Sequence, residues 1–590
     1  MLIRMLHSFK LSVLLLSLFI VSAPLSARAE AGDELMRSKM LSDIDTMHNL
    51  FSYRYAPVEW KEHFASWTLE EATERAKERV MTLRKPTAKE FHRILRDFCY
   101  SMKDYHVGIL FCSTESAHLP FDVMSAEGRY FISYIDHSKV SSSQFPFQVG
   151  DEILYFNHTP IGQVVDELIV TEERGATQET DQRKAENILT HRLGFMGHMV
   201  PSGRIKVTGR DSDGRMHAAK LQWSYTPERI DTHYTHLEDP GSRVTMAQVL
   251  NQEEQQGELR QRFYSYAEMK NPEVEFLRKL SPESCQSAHS AGDREGFLPE
   301  LGDIVWQSKG KDLFHAYISV TPAGQRIGYV RVPTYMPSKG AEKAFGNLIA
   351  RFEADTDLLI FDQMNNSGGS VLYGYNLLSM LVNEATPLPK DRMKLTQKKI
   401  HSLLEDSDWF SSIKNDKEAQ WYLGKYFLGV SVTYELVKQM KIFTEVMIDE
   451  WNSGKSMTEP VHNGLFGDAV YPHPTHCYSK PILCLINEQD FSMADQIPAI
   501  LQDTERAVLM GTRTAGAGGS VEDDENPDLF FGVWSISYTV SIGERTNGGD
   551  PIENLGVEPD VPYSLTVEDL QNNFSPFVSA IQEQVSVMLE

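Results

Sequence analysis

Cysteine is scarce and scattered: five in 590 residues (Cys99, Cys112, Cys285, Cys477 and Cys484), an odd number without CxxC spacing. That excludes a disulfide-built scaffold. Positive charge is also in short supply. Lys and Arg number 57 against 82 Asp and Glu, a net charge of −25, which argues against nucleic acid and anionic membrane surfaces as partners. Beyond Val21 no apolar run is long enough to cross a bilayer. His473, His476 and Cys477 lie close together, but no further ligand cluster points at them, so neither a metal nor another cofactor is expected. A Gly-x-Ser-x-Gly elbow is missing too, which tells against the esterases and lipases that place their nucleophile on one.

What is present is enough material for two or three domains, at 41% hydrophobic residues. The chain opens as a secretory signal. Arg4 and Lys10 precede the apolar run Leu11 to Val21, and Ala27-Arg28-Ala29 supplies a small-x-small cleavage pattern. The run is short for a membrane anchor. Cleavage after Ala29 and export are expected.

Residues 33–105 read as helices. Thr68-Leu-Glu-Glu71 and Thr87-Ala-Lys-Glu90 are capping-box sequences. Phe91, Ile94, Leu95 and Phe98 then mark one buried helix face. That helix leads into Asp104-Tyr105-His106 and a short apolar strand ending at Phe111. His106 at such a junction is either a structural histidine or a general base held by its flanking elements. Residues 120–225 are mostly short β-like runs. Among them Phe147-Gln-Val-Gly-Asp-Glu-Ile-Leu-Tyr-Phe-Asn157 resembles the Gly-Asp-x-Ile-Leu signature of PDZ domains, with a helix expected from Ile161 to Leu168. Residues 226–300 are polar and read as an exposed linker open to proteolysis.

From residue 301 the pattern turns α/β. A strand at Ile327–Val332, a helix at Ala341–Glu353 and a buried strand at Leu358–Phe361 precede the turn Asp362-Gln-Met-Asn-Asn-Ser-Gly-Gly-Ser370. The adjacent glycines let backbone N–H groups approach a bound group closely. Residues 396–457 read as a helical insertion, and Leu529 to Ile542 as one long alternating strand. Between them the apolar run Ile482 to Ile486 ends in a polar turn, with Ser492 at the mouth of a helix through Ile497, Ile500 and Leu501. A serine there is either an N-cap or an exposed nucleophile. In the second case the N–H of Met493 is a free helix-start donor suited to an oxyanion.

In this order the segments resemble the tail-specific (carboxy-terminal processing) serine protease family. The likeness rests on Ile-Gly-Tyr-Val-Arg-Val, Asp-x-x-x-Asn-x-Gly-Gly, Ser492 with its helix, Ala507 to Gly518, and Ile-Glu553-Asn-x-Gly-Val-x-Pro-Asp. Together these cover residues 327–560 apart from the insertion, and an upstream PDZ-like module is also a family trait. Two departures stand out. The lysine that many members use as base, 25 residues after the serine, is Ala517 here, and an arginine frequent before the glycines is Met364. Alanine takes no proton, so a Ser–His–acid set is required. A secreted branch of the family carries an Asp-x-His motif, matched by Asp104-Tyr-His106, and an acid matched by Glu553.

The resemblance implies an α/β protein with a crotonase-like ββα catalytic core, an N-terminal helical region and an inserted PDZ-like β-rich domain. The division is a signal peptide over 1–29, a helical region and His-bearing strand over 30–119, and a PDZ-like domain over 120–225. An inhibitory or processing linker over 226–300 and a catalytic domain over 301–590 follow. The implied chemistry is Ser492 as nucleophile, His106 as base and Glu553 as acid, with Glu558 in the same motif as the alternative acid. Met493 with Gly368 or Gly369 forms the oxyanion site. The resemblance further implies an endopeptidase made as a zymogen, activated by autocleavage within the 226–300 segment, secreted, homodimeric and acting on host-cell proteins. Phe263, Tyr264, Tyr266, Met269, Phe276 and Leu277 are the linker residues expected to dock. The rival from another class is a non-catalytic peptide-binding protein that retains the fold.

Overall fold

Four helices open the described chain: α1 (Leu25–Arg54), α2 (Val58–Ala65), α3 (Leu69–Thr82) and α4 (Ala88–Tyr100). This computed structural model describes residues 25–590 except 174, 229–291, 339, 463–466 and 526. The expected leader therefore lies largely outside the described residues, as do most of the 226–300 segment and all six of its proposed docking residues. No helix among the described residues is long and apolar enough to cross a membrane.

Thr68 and Thr87 accept hydrogen bonds from Glu71 N–H and Glu90 N–H, each satisfying a helix-start donor. Neither expected capping box closes among the described residues, and at Thr87 the Glu90 carboxylate accepts from the Thr87 hydroxyl (2.9 Å) instead. α4 buries Phe91, Ile94, Leu95 and Phe98, as their spacing requires. Phe51 of α1 packs edge-on against Tyr55, Phe98 and, from near the far end of the chain, Tyr538. The strand after His106, β1 (Gly108–Phe111), runs antiparallel to Val533–Thr539. The two ends of the chain thus share one core.

The next unit is an antiparallel sheet of β2 (Phe121–Ala126), β3 (Arg129–Ile135), β4 (Glu152–Phe156), β5 (Arg204–Arg210) and β6 (Met216–Gln222), in that spatial order. Two helices pack with it, α5 (Ile161–Glu172) and α6 (Gln178–Thr190). α5 begins where expected and runs one turn further. α6 corrects the reading of residues 120–225 as mostly β. Ala185, Ile188 and Leu189 make one buried face at helical spacing.

The largest sheet runs β7 (Asp303–Gln307), β8 (Ala316–Val320), β9 (Arg326–Arg331), β10 (Leu358–Asp362), β11 (Ile482–Ile486), β12 (Val508–Gly511) and a last strand at Val561–Pro562. It is antiparallel up to β9 and parallel beyond. β10 and β11 are buried at every residue, as parallel strands covered on both faces must be. One face packs α7 (Ala341–Asp355), α8 (Val371–Leu378) and the helix Met493–Asp503, and the other packs the C-terminal helix Ser575–Leu589. The insertion folds as α9 (Gln397–Ser412), α10 (Asp416–Leu423) and α11 (Tyr434–Asn452).

Two expectations change here. Leu529–Ile542 is not one strand. Val533–Thr539 pairs with β1, whereas Ser541–Gly543 pairs with Lys390–Met393 in another sheet. Val540 between them donates to Ser520 O and accepts from Lys394 N–H, which hands the chain from one sheet to the other. The end of the expected linker is also packed rather than free. Arg331 Nε donates to Asp293 O at 3.0 Å, and Phe297 meets Phe574 with ring centroids 4.9 Å apart.

Phe51 joins the ends of the chain through three aromatic neighbours, so Phe51→Ala leaves a cavity at that joint. A loss of about 3–5 kcal/mol is expected for such a truncation. The urea unfolding midpoint should fall and peptidase activity should fall with it. An unchanged midpoint would mean that the joint is not packed as described.

Candidate active site

Ser492 closes the turn after β11 and precedes α12 (Met493–Asp503). Its backbone has φ 58° and ψ −116°, a combination that side-chain-bearing residues rarely adopt, at a cost of about 1–3 kcal/mol. It occupies the N-cap position, yet its hydroxyl makes no capping bond. The reading of Ser492 as a simple cap therefore loses its physical basis.

A dense polar network holds the strained turn. Asp490, buried beneath it, accepts from Asn487 N–H (3.1 Å), Asn366 N–H (3.1 Å) and Gln363 Nε2 (3.2 Å). Asn487 and Asn365 exchange two hydrogen bonds, and Phe491 N–H donates to Asn366 O at 2.9 Å. The Ser492 turn and the Gly-Gly loop are thus one unit. Gly368 packs directly against the turn, with φ +84°. A Cβ there would lie 2.5 Å from Phe491 O and 2.7 Å from Ser492 Cβ. Its own N–H is occupied, donating to Asn366 Oδ1 at 2.8 Å. Among the described residues neither Met493 N–H nor Gly369 N–H has an acceptor, so these two are the donors left for an oxyanion. Met364 points into the core; its N–H donates to Asp362 Oδ1 at 3.0 Å and its carbonyl accepts from Arg331 Nη1 at 2.8 Å.

His106 arrives from the other end of the chain. Its peptide N–H donates to Asp104 Oδ1 at 2.8 Å. The preceding Tyr105 packs edge-on against Phe491, beside the serine, with centroids 5.5 Å apart. His106 Nδ1 is buried without a partner. Burial pushes the imidazole below its ordinary range, with Asp104 opposing and Lys61 adding to the effect.

Glu553 is buried within the same cluster, and its carboxylate accepts from Gly518 N–H (3.2 Å) and from the Lys61 ammonium. Asp104 Oδ2 accepts from Tyr55 (2.8 Å) and Thr539 (2.8 Å), and lies 4.0 Å from Lys61 Nζ. Burial first and then the charge of Asp104 push the Glu553 carboxyl up to about 8 against the pull of Lys61. Asp104, despite its burial, is held below the usual carboxylate range by Lys61 and His106. As pH falls, Glu553 is the first of the pair to take a proton. No hydrogen bond joins Ser492 to His106 or His106 to Glu553 among the described residues. Glu558, the other candidate acid, lies exposed beside Arg513 (3.6 Å). Ala517 N–H donates to Asp495 at 3.0 Å and Gly516 N–H at 2.8 Å, which pins the loop that carries Ala517.

Two contributors escaped the sequence reading. Lys61 sits on the short α2 among other charged residues and carries no motif. α6 of the PDZ-like unit reaches both the His106 and the Ser492 segments. Asp181 accepts from Tyr105 OH at 2.9 Å, Arg183 Nε pairs with Glu488 at 3.0 Å in the nucleophile turn, and Thr180 donates to Glu488 O at 2.8 Å. The helical spacing of α6 was readable; its partners were not.

Two family models match the chain, a PDZ domain over residues 115–230 and peptidase family S41 over residues 326–563. A protein of Chlamydia muridarum is 33% identical over 588 residues, spanning 95% of this chain and 94% of its own length. A protein of Chlamydia pneumoniae is 34% identical over 592 residues, spanning 96% and 92%. Among solved structures, mature CPAF complexed with lactacystin is 30% identical with a TM-score of 0.78, covering 94% of this chain and 99% of that one. Mature CPAF alone gives a TM-score of 0.77 at the same identity, covering 94% and 98%. The expected α/β class, with a PDZ module and a peptidase core, is the architecture of this chain.

Because Gly368 touches both the serine and its preceding carbonyl, Gly368→Ala should displace the nucleophile turn while leaving the sheet intact. We expect peptidase activity to fall at least about a hundredfold, the scale of losing an oxyanion contact, with an unchanged circular dichroism spectrum. An active Gly368→Ala protein would show that loop and turn are held less closely.

Proposed function

The chain belongs to peptidase family S41, the tail-specific serine proteases, and from that premise we propose a secreted endopeptidase working through Ser492, His106 and Glu553. Ser492 Oγ attacks the peptide carbonyl. His106 takes the hydroxyl proton and returns it to the leaving amine, after which water repeats the sequence on the acyl-enzyme. Glu553 stabilises the imidazolium that forms. The N–H groups of Met493 and Gly369 receive the oxyanion, assisted by the N-terminal end of α12. The single observation that carries this reading is the backbone of Ser492. It is strained, its hydroxyl is not used as a cap, and an unengaged N–H follows it.

The family likeness supports further proposals: synthesis as a zymogen, autocleavage within residues 226–300, homodimerisation and host-cell proteins as substrates. A tethered segment has a high effective concentration at the site, so weak docking suffices to block it. Cleavage would release that block. The two pieces would stay together because His106 and Ser492 lie on opposite sides of the cut.

With casein as substrate, Ser492→Ala and His106→Ala should each lower kcat by about 10⁴-fold or more. Glu553→Gln should lose most of kcat, and Glu558→Gln should resemble the wild type. Purified wild type should appear as two co-purifying fragments and Ser492→Ala as one uncut chain. Near-full activity in Ser492→Ala would refute the mechanism. An uncut yet fully active wild type would refute the zymogen.

A further inference from the structure

Lys61 is a fully buried ammonium in the middle of the proposed site. Its three N–H donors are all taken, by the Glu553 carboxylate, Asn554 Oδ1 (2.7 Å) and Lys103 O (3.1 Å). Asp104 Oδ2 is the second carboxylate in reach, at 4.0 Å. Tyr55, which bonds Asp104, and His106, whose peptide Asp104 holds, complete the titratable groups around it. The plain alternative is that Lys61 only pins α2 to the Asn554 turn, a task Trp60 already shares through its 3.0 Å bond to Asn554 Oδ1.

A pin does not need to be charged, and burying an unneeded ammonium is costly. The carboxylate that Lys61 grips is also the one assigned to His106. We propose that Lys61 is a positioning residue of the catalytic centre, gripping the Glu553 carboxyl beside Asp104 so that Glu553 can stabilise the His106 imidazolium. This rests on the Ser–His–Glu reading. Without Lys61, two buried carboxyl groups would face each other with no cation between them, and one would hold its proton to a higher pH. Lys61 lowers the proton affinity of Asp104, His106 and Glu553 alike. Its removal therefore raises all three, and the pH at which the site becomes active must rise.

The test is kcat/KM for casein against pH, using full-length protein carrying Lys61→Met, Lys61→Arg, Glu553→Gln, or Lys61→Met with Glu553→Gln. Lys61→Met should lose at least about tenfold at pH 7, move its acid limb up by about one unit or more, and regain activity at alkaline pH. Lys61→Arg should keep the wild-type acid limb, even with a lower kcat. A loss equal at every pH, with the limb unmoved, would reduce Lys61 to a structural pin and overturn the proposal. Should Lys61→Met fail to fold, the double variant decides, since it removes both partners of the Lys61–Glu553 pair and leaves Asp104 its bonds from Tyr55 and Thr539. It should match Glu553→Gln within about threefold, and a further tenfold loss would overturn the proposal. Full activity in Ser492→Ala or Glu553→Gln would instead bring down the triad reading.

Discussion

The buried ion pair between Lys61 and Glu553 is the contact on which the site's construction depends. Its partners come from opposite ends of the chain, and neither charge is tolerable in that interior without the other. The pairing of β1 with Val533–Thr539 brings the ends into the same core, and the ion pair then fixes them at the precision chemistry needs. Asp104 extends the same joint by binding Tyr55, Thr539 and the peptide N–H of His106. Strand register, charge pairing and the placement of the His106 segment thus meet at one joint.

On the catalytic sheet the constraint is backbone strain. A serine at φ 58° persists only if its surroundings over-determine it, and the Asp490–Asn487–Asn365–Asn366 network does so from below. α6 of the PDZ-like unit adds Arg183–Glu488 from the side. The same helix holds Tyr105 through Asp181. The upstream unit is therefore a wall shared by the nucleophile turn and the His106 segment.

The sequence reading worked best where the period of the apolar pattern was unambiguous. The helical face of Phe91, Ile94, Leu95 and Phe98, the solid apolar strands at Leu358 and Ile482, and the turn-to-helix junction at Ser492 all follow from local rules. It failed where a segment's partner decides its form. Leu529–Ile542 alternates like one strand but splits at Val540 because its halves join different sheets. The Glu90 carboxylate had two donors in reach, the Thr87 N–H and hydroxyl, and accepts from the hydroxyl. Lys61 was invisible because a lysine among charged neighbours nearly always faces water. Its burial is set by Glu553, nearly five hundred residues away in the chain.

The central claim is that one nucleophilic serine is activated by a histidine from the other end of the chain. Reaction with a fluorophosphonate, followed by peptide mapping, tests it most directly, because the reagent modifies serines made nucleophilic by an adjacent base. The account predicts one phosphonyl group per chain, on Ser492, and loss of labelling in His106→Ala. Label on another serine, or undiminished labelling of Ser492 without His106, would contradict it.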